Sequence, residues 1–237
     1  MAHIKLRDQA YDAFAQHLLN RQLVPGQFVS QRELAELTSM SLGAIREMIP
    51  RLEAEGLIKA ISQRGLQIVH IDLKMVVEAF QLREMLELTG LAEFSRRTSD
   101  GEIQALYDRL QRIKQQAETG AITESFLKEA QDADWQMHDT FVAALNNQLI
   151  ADLHRVNSIR IRMILGERIG LPAERLPVAI REHDAVLSAL LRRDHAAAAL
   201  ALRTHLHSSR RRSLSVGHFD ESQTLDPTSI SEEQGDQ

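Results

Sequence analysis

Apolar residues recur at helical spacing over most of this chain and give way to strand-like runs in one place. Over residues 5–21, Leu6, Ala10, Ala13, Phe14, His17 and Leu18 define one face of a helix. Pro25-Gly26 breaks that pattern. Ser30-Gln31-Arg32-Glu33 then reads as a capping box, in which the Ser30 hydroxyl satisfies a free amide of the first turn and Glu33 reaches back. A short helix runs on to Leu37. After Thr38-Ser39-Met40 a further helix spans 42 to about 55, stopped by Gly56. The period then changes, and 57–61 and 66–69 read as two short strands around a Ser62-Gln63-Arg64-Gly65 turn. Three helices followed by a two-stranded hairpin within 70 residues is the plan of a winged helix-turn-helix.

Beyond a joint at His70-Ile71-Asp72 the helical period returns and stays. It predicts six helices, at 73–97, 99–118, 122–145, 147–169, 175–192 and 194–213. Ser99, Thr123 and Asp194 serve as N-caps, and Gly120 and Gly170-Leu171-Pro172 as breaks. The expected class is therefore mainly α: a DNA-binding head over 1–70, an all-helical bundle over 73–214 and, over 215–237, a polar acidic tail read as disordered.

Composition narrows the chemistry. The 237 residues are 43% hydrophobic and only 4% aromatic, and they include no cysteine. Disulfides, zinc-thiolate sites and thiol catalysis are thereby excluded, so a metal would need nitrogen and oxygen ligands, for which ten His are available. No apolar run approaches the ~20 residues that span a bilayer. Met1-Ala2-His3-Ile4-Lys5 is not a signal sequence, so the expectation is a cytoplasmic protein with no membrane partner. The net charge of -5 is an average over unlike parts, since residues 1–70 sum to +1 and 220–237 to -6. Local placement of bases matters more for DNA binding than that sum.

A helix-turn-helix puts the start of its second helix into the major groove. Here that start is Ser41-Leu42-Gly43-Ala44-Ile45-Arg46, where small residues let the backbone approach phosphates and Arg46 can reach a guanine edge. Arg32 starts the preceding helix, and Arg64 sits at the wing tip beside Gly65. The plain alternative makes all three surface arginines. Leu23-Val24-Pro25-Gly26, Leu34-Ala35-Glu36-Leu37, Ile45-Arg46-Glu47 and Arg51-Leu52-Glu53-Ala54-Glu55-Gly56-Leu57-Ile58, closed by Gly65, resemble the DNA-binding domain of GntR-family regulators. The resemblance covers 5–70 and implies DNA contact by Arg32, Arg46, Arg64 and Gly65. Where the family usually carries Ser/Thr-Arg-Thr-Pro, this chain has Ser41-Leu42-Gly43-Ala44, so a base or phosphate contact is lost and Leu42 is left to touch a thymine methyl.

In the helical part, Asp134 and His138 lie one turn apart on one helix face. His183 and His205 each lie eleven residues from Asp194. If the last two helices pack antiparallel, both imidazoles stand ~16 Å from the turn between them. One carboxylate and three imidazoles suit a divalent transition metal, zinc before nickel or manganese. Taken singly, each is equally a surface or core residue. Asp134-Trp135-Gln136-Met137-His138, Glu182-His183-Asp184-Ala185-Val186-Leu187-Ser188-Ala189 and Asp194…Ala198…His205 resemble the FCD ligand-binding domain of the FadR subfamily. That resemblance implies a metal held by Asp134, His138, His183 and His205, and six helices point to the VanR-like group within it. Leu82-Arg83-Glu84-Met85-Leu86-Glu87 is similar to the first-helix motif of FCD domains, whose arginine often faces the pocket.

Arg83 is thus a candidate grip for a carboxylate effector, followed by Arg160 and Arg162, one of which is expected to face inward. His154, His195 and His207 read as surface residues, and Arg210-Arg211-Arg212 as a solvated helix end. The sequence reading is a homodimeric regulator, acting as a repressor on a pseudo-palindromic DNA operator and controlled by a small organic acid beside a divalent metal. The competing readings are a sensor of the metal itself and a metal-dependent enzyme joined to a DNA-binding domain. Against the enzyme, the chain shows no nucleophile elbow, phosphate loop or HExxH motif.

Overall fold

The computed structural model describes residues 6–168 and 173–215. Its first unit comprises α1 (Leu6–Leu19), β1 (Phe28–Val29), α2 (Gln31–Thr38), α3 (Leu42–Ala54), β2 (Ile58–Ile61) and β3 (Gly65–Ile68). The capping box is present: Ser30 Oγ accepts from the Glu33 amide at 3.2 Å, and Glu33 Oε2 accepts from the Ser30 amide at 2.6 Å. On α1 the buried face comprises Ala10, Tyr11, Phe14, Ala15 and Leu18. Leu6 is exposed, and Tyr11 takes the inward place because its hydroxyl donates to Glu55.

The expected two-stranded wing is a three-stranded antiparallel sheet in the order β1-β3-β2. Phe28 pairs with Gln67, Val29 with Leu66, and Ile58 with Ile68. A strand of two residues carries no alternation that a sequence could display. Gly26 makes the turn into it with φ +81°, and a Cβ there would lie 2.5 Å from the His70 ring. The joint at 70–72 is packed: His70 covers Gly26, and the Asp72 carboxylate accepts from the Met75 amide at 2.6 Å to cap the next helix.

The second unit comprises α4 (Leu73–Arg97), α5 (Asp100–Thr119), α6 (Glu124–Ala143), α7 (Gln148–Arg168), a 3-10 turn at Ala173–Arg175, α8 (Leu176–Leu191) and α9 (His195–Ser215). These are the six expected helices. Ser99 and Thr123 cap α5 and α6 as expected, and Asp194 Oδ1 accepts from the Ala197 amide at 3.0 Å. Ser215, placed in the tail by the sequence, closes α9. The break at Gly170-Leu171-Pro172 and the rest of the tail lie outside the described residues.

Three apolar clusters join these elements. One fills the head, with Ile45, Met48, Leu52 and Ile68 at its centre, and takes in Ile159 and Met163 from α7. A second, around Phe141, Val186 and Leu190, fills the bundle. A third, of Val76, Ala79, Phe80, Ile161 and Ile164, lies between α4 and α7. Helix α7 therefore buries one stripe in the head and another against α4.

Helices α4 and α6 touch at backbone level. A Cβ on Gly90 would lie 2.4 Å from the Phe141 carbonyl oxygen, closer than any side chain tolerates. Replacing Gly90 by Ala should part the two helices. Overpacking of this kind costs about 1–3 kcal/mol, readable as a lower urea midpoint. A midpoint equal to that of the unaltered protein would show that the approach is not required.

Candidate metal and effector site

One turn from Gly90 on α4 and from Phe141 on α6, two buried side chains meet: His138 Nδ1 lies 2.6 Å from Glu87 Oε2. Glu87 also accepts from Arg83 Nε at 2.6 Å, and both members of that ion pair are buried. Burial alone would raise the Glu87 pKa, but the Arg83 charge and His138 bring it down to about 2. Glu87 is thus a carboxylate that orients His138 through Nδ1 and leaves Nε2 facing away.

On that far side four residues converge. Asp134, His138, His183 and His205 each offer one ligand atom, and these atoms lie within 4.8 Å of one another. His183 Nε2 is 2.9 Å from Asp134 Oδ1 and 3.4 Å from His205 Nε2. The expected antiparallel packing of α8 and α9 accounts for the last distance. The imidazoles are buried, and Asp134, its side chain 23% exposed, is where the cluster opens. His205 Nδ1 is held at 2.8 Å by Glu182 Oε2, and Glu182 Oε1 accepts from Arg212 at 3.4 Å. Two of the three histidines therefore have a carboxylate at the nitrogen turned away from the cluster, the arrangement that fixes tautomer and orientation in imidazole–metal sites.

Protonation agrees. Burial first, then the neighbouring His183, pushes His205 down to about 3, and burial lowers His138 despite Glu87. Burial would raise Asp134, but His183 and the other imidazoles hold it well below the usual carboxylate range. A neutral imidazole pair beside an ionised carboxylate is the state a cation requires. The clearest sign of fit is His138 Nε2, which is buried, aimed into the cluster and without a hydrogen-bond partner among the described residues. Burying such a lone pair costs free energy that coordination would offset.

The arginines divide. Arg83 lines a cavity with Asp134, Trp135, Arg175, His205 and Arg212. Three guanidinium-bearing residues thus surround one side of Asp134. Burial and the nearby Arg212 lower the Arg175 pKa, as crowded cations demand, and Arg212 Nε is buried without a hydrogen-bond partner among the described residues. The sequence reading missed Arg175, and it placed Arg212 in solvent because a run of arginines at a helix end shows no inward face. Arg162 is spent on Asp139 Oδ2 at 3.1 Å and lies 5.0 Å over the Trp135 ring. Arg160 turns away from the cluster to donate to the Glu55 carbonyl, so its candidacy as an effector ligand is replaced by a contact with the head. His154 is also half-buried rather than free, 2.9 Å from Asp139. His195 engages Ser95, while His207 is exposed beside Glu84.

Glu55 ends α3 and gathers further partners. Its carboxylate accepts from Tyr11, from Arg51 Nε at 3.1 Å and from Arg155 Nη2 at 3.1 Å. The guanidiniums of Arg51 and Arg155 lie 3.9 Å and 4.8 Å from the centre of the Tyr11 ring. At the other end of α3, Ser41 Oγ accepts from the Ala44 amide at 3.2 Å, while Leu42 and Gly43 stand exposed. Arg46 is exposed and held by Gln31 Oε1 at 3.3 Å. Arg32 is exposed at the start of α2, and Arg64 packs 4.2 Å over the Phe28 ring beside the exposed Gly65. Gln31 and Phe28, which the sequence reading passed over, steady two of these arginines.

Comparison with known proteins places both halves. Residues 6–68 match the gntR family of bacterial regulatory proteins, and residues 78–208 match the FCD domain. The chain is 27% identical over 198 residues to the probable HTH-type transcriptional regulator LgoR of Escherichia coli, a match covering 84% of this chain and 64% of LgoR. It is 24% identical over 212 residues to the Uxu operon transcriptional regulator of the same species, covering 81% of this chain and 79% of that protein. Among solved structures, E. coli McbR/YncC superposes with a TM-score of 0.72 at 18% identity, covering 90% of this chain and 98% of the other. A GntR regulator from Rhodococcus sp. RHA1 gives 0.70 at 17%, covering 89% and 99%.

A pH dependence follows from the imidazoles. An unfolded histidine takes a proton near pH 6.5, whereas His205 and His138 resist it when folded. The unfolded chain then binds more protons, so stability falls as pH drops below about 6.5. In chelator-treated protein the melting temperature should decline from pH 7 to 5, and His205→Gln should flatten that decline. An identical slope in the variant would refute the assignment.

Proposed function

This chain belongs to the GntR family of bacterial regulators and carries the family's FCD domain, and from that premise we propose that its operator binding is controlled by a small organic acid held beside a divalent metal ion. The observation that carries the reading is the cluster of Asp134, His138, His183 and His205, with ligand atoms within 4.8 Å and the buried His138 Nε2 without a hydrogen-bond partner among the described residues. Three imidazoles and one carboxylate favour zinc, with nickel or manganese as alternatives. A bound ion supplies positive charge and an open coordination position for an anionic oxygen. Arg83, Arg175 and Arg212 add the charge that would hold the same acid from the other side.

The route from this site to DNA runs through α7. Asp139 follows the ligand His138 on α6 and is gripped by His154 and Arg162 of α7. The same helix sends Arg155 and Arg160 to Glu55 at the end of α3. A shift of α6 on effector binding thus reaches the helix whose other end carries Leu42, Gly43 and Arg46. Two such heads in a homodimer would read a pseudo-palindromic operator, Arg32 and Arg64 engaging backbone or minor groove on either side of Arg46.

Operator fragments selected from random DNA, followed by fluorescence anisotropy, test this reading. Arg46→Ala should weaken binding by about tenfold or more, the worth of one good base contact. Adding carboxylic acids to zinc-loaded protein should change operator affinity, while zinc alone should not. If zinc alone moves affinity and no acid does, the protein senses the metal. Glu55→Gln should keep zinc binding yet shrink the response to acid, and an undiminished response would remove α7 as the route.

A further inference from the structure

We propose that the acid sensed here is a monocarboxylate with an apolar tail of three or four carbons, seated in a non-polar pouch between α5, α6 and α8. The proposal rests on the effector reading above and narrows it to a ligand class. The pouch is walled by Leu106, Leu110, Ile113, Met137, Ile180 and Leu187 among others. Among its described lining residues only Arg109, Asp134 and His183 are polar. Two of these are candidate metal ligands, and Arg109, the third, donates to Gln136. The cavity measures about 40 Å³, several times the ~10–15 Å³ that admits one water, which suits a short tail of a few carbons.

Its position gives it meaning. Asp134 and Ala179 line both this pouch and the chamber of Arg83, Arg175 and Arg212. A cationic chamber and an apolar one therefore meet at the carboxylate through which the cluster opens. A ligand that fits both has a negative head and a hydrocarbon tail. A hydroxyl or second carboxylate in the pouch would lose its hydration against the leucines and isoleucines, and Arg109, the cation on its wall, is already engaged by Gln136. Each methylene moved from water into such a site gains about fourfold in affinity.

Isothermal titration of the full-length, zinc-loaded protein with acetate, pentanoate and glutarate tests the proposal. Glutarate has the chain length of pentanoate with a carboxylate in place of the terminal methyl. Pentanoate should bind at least tenfold more tightly than acetate, and glutarate no more tightly than acetate. Ala133→Leu, which fills the pouch from α6, should bring pentanoate down to the level of acetate without weakening acetate. Leu110→Ala, which enlarges it, should move the optimum to heptanoate, and this serves if the first variant fails to fold. Glutarate matching pentanoate, an unchanged pentanoate-to-acetate ratio in Ala133→Leu, or an unmoved optimum in Leu110→Ala overturns the pouch. Acetate binding without chain-length preference, or binding by none of the three acids, sinks this inference alone, whereas the effector reading falls if no carboxylic acid changes operator affinity.

Discussion

A carboxylate sealed into a helical core is tolerated only when its charge is matched, and Glu87 meets that condition with Arg83 on one oxygen and His138 on the other. Much of the helical half depends on this buried chain. It ties α4 to α6 where Gly90 lets their backbones touch, it chooses which nitrogen of His138 faces the cluster, and it anchors Arg83 at the rim of the cationic chamber. Glu182 repeats the device on His205, with Arg212 in the place of Arg83. The cluster is thus held from behind by two carboxylate–arginine pairs, which fix the orientation of the inward nitrogens of His138 and His205.

Rigidity at the site is matched by shared packing beyond it. Helix α7 belongs to both halves, with Ile159 and Met163 in the core of the head and Ile161 and Ile164 against α4. Polar contacts follow the same division, Arg155 and Arg160 facing Glu55 and Arg162 facing Asp139. Coupling between sites requires an element with differential contacts to each, and α7 is placed to be that element.

Much of this was legible in the sequence because it rests on local rules. Helical periodicity gave the six helices of the bundle, and capping residues such as Ser30, Ser99 and Thr123 marked where helices begin. Asp134 and His138 could be paired from a four-residue spacing, and His183 with His205 from their equal distance to a turn. What escaped notice depends on contacts between distant segments. Glu87 and Glu182 look like ordinary helix-surface acids until α6 and α9 bring a histidine to each. Arg160 and Arg162 are two residues apart on one helix, so one was expected inward. Instead Arg160 meets the head and Arg162 meets α6, because α7 has packed neighbours on more than one side. β1 escaped because two residues show no period, and Arg212 because its partner lies thirty residues earlier in the chain.

The burial of Ile159 and Met163 among head residues has a consequence for how such proteins can be recombined. A head transplanted at the joint near residue 70 would leave behind the two side chains that finish its interior, and Glu55 would lose both arginines that face it from α7. Exchange of DNA specificity between relatives, whether by evolution or in the laboratory, is therefore easier through the few exposed residues at the tip of α3 than by swapping the whole reading unit.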